Sequence, residues 1–168
     1  NISKTKRMLA KWMRSMQHLR LSEMHYSYIS KKIICEKFLD THNNAAPDDY
    51  KIYCCNGKPC YVMVCIGRDR GVPKFYYFDC EGNLQREMTR DGLEAPQDFY
   101  YEIPAGWNDM IRCAEVLSAP FPFVRSDFYL VDGKVVFGEL TFTPAAGLDT
   151  GKLEYTDKLL GDLIDLSK

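Results

Sequence analysis

The stretch Phe123–Gly147, FVRSDFYLVDGKVVFGELTFTPAAG, decides how this chain folds. Val124–Val131 and Lys134–Phe142 are dense in aromatic and β-branched residues, and Asp132-Gly133 stands between them, a strong hairpin signal. Side chains alternate faces along a strand. The even positions Val124, Ser126, Phe128, Leu130, Val136, Gly138, Leu140 and Phe142 are almost all apolar, whereas the odd positions include Arg125, Asp127, Glu139 and Thr141. A two-residue turn would pair Val131 with Lys134 and put Asp127 and Glu139 on opposite faces. A three-residue loop, Val131-Asp132-Gly133 with Gly133 left-handed, instead pairs Leu130 with Lys134 and Asp127 with Phe137, and sets Glu139 diagonally beside Asp127. Only this second register separates charge from core, so the pattern predicts it. It gathers Asp127, Glu139 and the Thr141 hydroxyl, with Arg125 alongside. Parity leaves two readings open. One is a hard-oxygen cluster suited to Mg²⁺ together with substrate phosphates. The other is a half-exposed hairpin with solvated charges.

The whole chain sets the bounds. At 168 residues it is one domain or a large part of one, long enough for a sizeable core. A formal net charge of −1 provides no global field for nucleic acid or an anionic membrane. No apolar run reaches the length of a membrane span and no signal peptide opens the chain. It begins with Asn rather than Met, as a fragment or processed product would. The cysteines Cys35, Cys54, Cys55, Cys60, Cys65, Cys80 and Cys113 lie mostly in apolar runs. They are expected to be free thiols in a reducing, cytoplasmic setting. Cys54, Cys55 and Cys60 flank Asn56-Gly57, but no second pair and no nearby His completes a zinc site. His18, His25 and His42 have neither metal-ligand spacing nor a nucleophile beside them.

Periodicity and breakers give the order of elements. Lys4 to about Arg20 has helical spacing at Met8, Leu9, Trp12, Met16 and Leu19, with a basic face. Ile33–Leu39 reads as a short strand, and Asp40–Asp48 as a polar loop. Tyr50–Cys55 and Cys60–Ile66 form a hairpin about Asn56-Gly57, and Lys74–Asp79 is a further strand. Residues 84–104 look irregular; Asn108–Ser118 is a helix with Met110, Ile111, Ala114 and Leu117 facing the core; a last helix runs from about Tyr155 to Leu166. The expected class is α+β, a mostly antiparallel sheet with flanking helices.

Several stretches together resemble the C-terminal part of an ATP-grasp domain, specifically the TupA-like ATP-grasp family of bacterial surface-polysaccharide biosynthesis. They are IICEKFL, DYKIYCCNGKP, PFVRSDFYLVDGKVVFGELTFTPAAGL and KLLGDLIDL, within a resemblance running from about Trp12 to Leu166. GELTFTPAAG is the most specific. A more distant likeness, to D-alanine–D-alanine ligases, rests on Arg-x-Asp followed by a strand with Glu-x-Asn. The resemblance implies residues 1–31 as a helical lead-in and 32–168 as a C-terminal ATP-grasp subdomain. The lysine strand, glycine-rich loop and substrate domain would lie outside the chain.

The resemblance also implies roles. Glu36, Lys37, Phe38 and Leu39 resemble the hinge that holds adenine, Asp49 the acid that binds ribose, and Lys51 follows where it could face phosphates or solvent. Asp127 and Glu139 resemble the Mg²⁺ carboxylates. Thr141 stands where most of these enzymes place Asn. Arg125 resembles the arginine that steadies the transferring phosphoryl group. The implied activity is an ATP- and Mg²⁺-dependent carboxylate–amine ligation through an acylphosphate, on substrates that could be sugar-linked. The alternatives are a glycosyltransferase-type protein of the same pathway, for which no Asp-x-Asp or nucleotide-sugar pattern speaks, and a non-catalytic fragment kept for protein interaction. Without the phosphate-covering half, ATP binding by the chain is expected to be weak and Mg²⁺-dependent. An apolar ledge at Phe38 and Leu39 would favour self-association.

Overall fold

The computed structural model describes residues 1–39, 47–68 and 71–167. Its centre is a five-stranded antiparallel sheet in the order β3-β2-β1-β4-β5. The strands are β1 (Asp49–Cys55), β2 (Lys58–Ile66), β3 (Lys74–Phe78), β4 (Phe123–Val131) and β5 (Lys134–Thr141). The helices are α1 (Ile2–Arg14), α2 (Gln17–Arg20), α3 (Arg90–Glu94), α4 (Trp107–Ser118) and α5 (Glu154–Asp162). The α+β class read from the sequence is the class observed.

β1 is the middle strand and is covered on both faces. Its even residues Tyr50, Ile52 and Cys54 join Val62, Val64, Phe78, Val124 and Phe128 in a core closed by α4 through Trp107, Met110 and Ala114. Ile111 and Leu117 pack against that core as the helical spacing predicts. On the opposite face Tyr53, Met63 and Tyr77 pack with Met88 and Leu160 of α5. The buried Thr156 hydroxyl of α5 donates to the Met88 carbonyl (2.7 Å). Asn56 Nδ2 donates to the Leu163 carbonyl (2.7 Å) and Asn56 Oδ1 accepts from the Asp165 N–H (3.0 Å), tying the β1–β2 turn to the end of α5.

Several expectations need correction. The lead-in helix ends at Arg14, not near Arg20. Ser15 is extended, and its hydroxyl and N–H both go back to the Trp12 carbonyl. Lys31 Nζ then donates to the Met13 (3.2 Å) and Ser15 (2.6 Å) carbonyls, occupying acceptors that a continued helix would have used. Ile33–Leu39 is not a strand. A strand needs a partner ladder, β1 already has a neighbour on each side, and the open edges β3 and β5 do not take this segment up. The region expected to be irregular contains α3, held by a Thr89 cap that accepts from the Gly92 N–H (3.1 Å). The polar loop from Asp40 falls largely outside the described residues.

The hairpin turn is also corrected. Val131 pairs with Lys134 around Asp132 (φ 51°) and Gly133 (φ 72°), a two-residue turn with both central residues left-handed. Such a turn follows the natural twist of the strands better than the three-residue loop. Phe128 faces Phe137, and the register then slips, so that Ser126 faces Leu140 and Arg125 faces Thr141. Gly138 and Glu139 together oppose Asp127, a β-bulge. Glycine suits the place: a Cβ on Gly138 would lie 3.1 Å from the Asp127 carbonyl oxygen. The bulge does what the longer loop was expected to do, bringing Glu139 and Thr141 onto the Asp127 face. Beyond it parity reverses, so Val135 packs towards the α4 core in place of the expected Val136.

Candidate functional site

Asp49 and Lys51 of β1 and Arg125 and Asp127 of β4 lie on the α5 face of the sheet. The register sets Lys51 opposite Asp127 and Asp49 opposite Tyr129. Lys51 Nζ sits between two carboxylates, 2.9 Å from Asp49 Oδ2 and 2.5 Å from Asp127 Oδ2. Arg125 grips Asp127 from the other side, Nε to Oδ1 at 2.7 Å and Nη2 to Oδ2 at 2.8 Å. Arg125 Nη2 also donates to the Thr141 hydroxyl (3.1 Å), which donates to Glu139 Oε1 (3.4 Å). Arg68 Nη2 completes the row at 2.6 Å from Asp49 Oδ2. The geometry thus brings together Asp49, Lys51, Arg125, Asp127, Glu139 and Thr141, and adds Arg68.

Burial makes this pairing necessary. Asp49 is 1% exposed and Asp127 2%. An ionised carboxylate out of water needs a cation and hydrogen bonds to remain charged. Burial works against the Arg125 charge, but the Asp127 carboxylate outweighs it and holds the guanidinium above its usual range. Burial likewise opposes the Arg68 charge, and the Cys65 sulfur and Asp49 more than offset it. Three carboxylates, Asp49, Asp127 and Glu139, face three cations, Lys51, Arg68 and Arg125, so the cluster is neutral as it stands. Glu139 is its open end, with a side chain 68% exposed and 3.8 Å from Arg125. Tyr26 from the lead-in segment reaches this end. Its hydroxyl pKa is pushed up by burial first, then by Glu23 and Glu139, against Arg125.

Glu36, Lys37, Phe38 and Leu39 are not part of this row. They lie in irregular chain before β1, with Phe38 81% exposed. Arg68 was missed in the sequence although a signal existed. The Asn56-Gly57 turn leads to Asp49 facing Cys65, and a basic residue three places beyond Cys65 has the reach to return to Asp49.

The model of one protein family, described as TupA-like ATPgrasp, matches residues 1–165. The chain belongs to that family. No curated protein and no solved structure matches it. Membership of an ATP-grasp family points to ATP binding and to an ATP-dependent, ligase-type enzyme. Among the described residues no helix is long and apolar enough to cross a membrane. In this TupA-like ATP-grasp chain the neutral row occupies the sheet face that carries the Arg-x-Asp and Glu-x-Thr strands.

The donor set can be tested against Mg²⁺. Carboxylates and a hydroxyl, with no nitrogen or sulfur ligand, suit a hard divalent cation. Asp127 already spends both oxygens on Lys51 and Arg125, and Glu139 is the accessible carboxylate. Among the described residues no three His, Cys, Asp or Glu side chains converge as a metal cage. The residues therefore fit an ion that brings most of its ligands with it, such as Mg²⁺ on a triphosphate.

Proposed function

We propose that the chain forms the phosphate-facing sheet of an ATP- and Mg²⁺-dependent enzyme that joins a carboxylate to an amine, in bacterial surface-polysaccharide synthesis. The observation that carries the reading is the neutral row of paired charges, held on rigid strands and ending at an exposed Glu139. Lys51 and Arg125 would keep Asp127 paired while their remaining N–H donors face incoming phosphate oxygens, with Arg125 steadying the phosphoryl group in flight. Glu139, with Asp127 behind it and Thr141 beside it, would hold the Mg²⁺, whose chemistry is to neutralise phosphate charge. Asp49 is assigned to the ribose side. Glu36, Lys37, Phe38 and Leu39 are assigned to the adenine, for which an exposed apolar Phe38 offers a stacking surface. The γ-phosphoryl group passes to a carboxylate oxygen with loss of ADP. An amine then attacks the acylphosphate carbon, phosphate departs and the amine proton goes to solvent.

The experiment is Glu139→Gln in the protein expressed from its complete coding sequence. The exposed side chain makes no contribution to the core, so folding is retained. Substrate-dependent phosphate release from ATP should fall by a factor of 100 or more, on the order of what one charge-stabilising group supplies. Turnover within threefold of the unaltered protein would refute the assignment.

A further inference from the structure

The β1–β2 hairpin gathers thiols that no step above uses. Cys54 and Cys55 end β1, Cys60 stands in β2, and Cys80 follows β3. The Asn56-Gly57 turn pairs Cys55 with Lys58 and Cys54 with Pro59, and the register then slips so that Tyr53 faces Tyr61. Cys60 is the extra residue of that bulge, opposite no residue of β1. Its side chain turns back along the hairpin. The Cys60 thiol donates to the Lys58 carbonyl (3.3 Å), on the rung that Cys55 shares. There both the thiol and the N–H of Cys55 donate to Cys60 Sγ. The two sulfurs are thus in contact, Cys60 partly exposed and Cys55 buried. The other two thiols are turned away. Cys54 belongs to the α4 core, and the Cys80 thiol donates to the Pro59 carbonyl (3.5 Å).

Among the described residues these sulfurs form no metal cage. Two donors aimed at one sulfur favour its thiolate, the form that attacks electrophiles, and they hold Cys60 down to about 7 against the effect of burial. Cys55 keeps its proton, held by its bond to Cys60 and by burial. A partly exposed thiolate touching a second thiol is the arrangement that a peroxide converts to a disulfide. We propose that Cys60 and Cys55 form a reversible oxidation site for a hydroperoxide, with Cys60 as the attacking sulfur and Cys55 as the resolving one. The Cys60 thiolate attacks the hydroxyl oxygen of the peroxide. The O–O bond breaks, and the second oxygen leaves as hydroxide or alkoxide and takes a proton from solvent. Cys60 is then a sulfenic acid, oxidised by two electrons. The Cys55 sulfur attacks the Cys60 sulfur, the S–O bond breaks, and the hydroxyl departs with the Cys55 proton as water. A dithiol, itself oxidised to a disulfide, returns both cysteines to thiols. Only residues 56–59 separate the pair, so the bridge closes a loop that the turn has already ordered. The site stands apart from the ligase reading.

The test treats the reduced protein, expressed from its complete coding sequence, with hydrogen peroxide. Free thiols are blocked with N-ethylmaleimide, disulfides are then reduced, and the thiols so released are tagged with iodoacetamide and mapped on peptides. Cys55 and Cys60 should be tagged together and to equal extent, and dithiothreitol added before blocking should remove the tag. Cys60→Ser should lower the tagging of Cys55 at least tenfold, whereas Cys80→Ser should leave it unchanged. Cys55→Ser should leave a Cys60 sulfenic acid that dimedone traps. The mapping of the unaltered protein depends on no variant's folding. A bridge from Cys60 to Cys80, tagging of Cys55 that survives Cys60→Ser, or a Cys60 left reduced by peroxide that oxidises the exposed Cys35 and Cys113 would overturn the proposal.

Discussion

Replacing Lys51 with methionine removes the ammonium between Asp49 and Asp127 while keeping a side chain of similar length. The two carboxylate oxygens it touches, at 2.9 and 2.5 Å, both lie against one nitrogen. They are therefore separated by no more than about 5 Å, where two like charges repel by about 3 kcal/mol at an effective dielectric near 20. Each carboxylate keeps one cation, Arg68 for Asp49 and Arg125 for Asp127, so the loss should stay at the low end of the roughly 3–5 kcal/mol for breaking a buried pair. The expected destabilisation is about 3 kcal/mol. Urea unfolding followed by tryptophan fluorescence measures it, because Trp107 is buried under the sheet while Trp12 is exposed. The second arm is Lys51→Met combined with Asp49→Asn, which removes one of the repelling charges. The double variant should be more stable than Lys51→Met alone by about 1–2 kcal/mol, an energetic coupling of the size seen between touching groups. If Lys51→Met costs less than about 0.5 kcal/mol, or Asp49→Asn simply adds a further loss, the row is not held by this ammonium.

Gly138→Val should cost about 1–3 kcal/mol by forcing the bulge off the Asp127 backbone, and should displace Glu139 from Arg125; thermal unfolding and a crystal structure would check both. Asn56→Ala should cost about 1–3 kcal/mol in urea unfolding, since it removes both side-chain bonds to residues 163–165 at a position with φ 52°. Hydrogen bonding from the Cys55 thiol lowers the Cys60 pKa to about 7, whereas burial pushes Cys54 up to about 12. Thiolate forms as pH rises through the pKa, so native alkylation should be half-maximal near pH 7 at Cys60 and negligible at Cys54, as peptide mapping would show.

What could be read from the sequence was local. The Asn56-Gly57 and Asp132-Gly133 pairs marked both hairpins, and the spacing Met110, Ile111, Ala114, Leu117 marked α4 and its buried face. The face shared by Asp127, Glu139 and Thr141 was inferred correctly, but from the wrong cause. Polar–apolar parity requires one register slip in the hairpin and does not say where. Gly138, a glycine inside a strand, was the signal that placed it at a bulge. Ile33–Leu39 was misread because a short apolar run carries strand propensity without saying whether a neighbouring edge exists. Arg68 depends on a loop returning to the sheet, which no periodicity encodes.

The bulge also divides the β4–β5 hairpin into two stretches of different register. Inward of Gly138 the rungs carry the charged row; outward of it Phe128, Leu130 and Val135 are held by the α4 core and by β1, and the exposed Asp132-Gly133 tip lies beyond the last rung, Val131–Lys134. Residues can therefore be inserted at the tip without rotating Asp127 or Glu139 out of place. That makes the hairpin tip a natural insertion point, one where related chains could diverge in reach and where a reporter domain could be spliced in while the chemistry-bearing rungs keep their alignment.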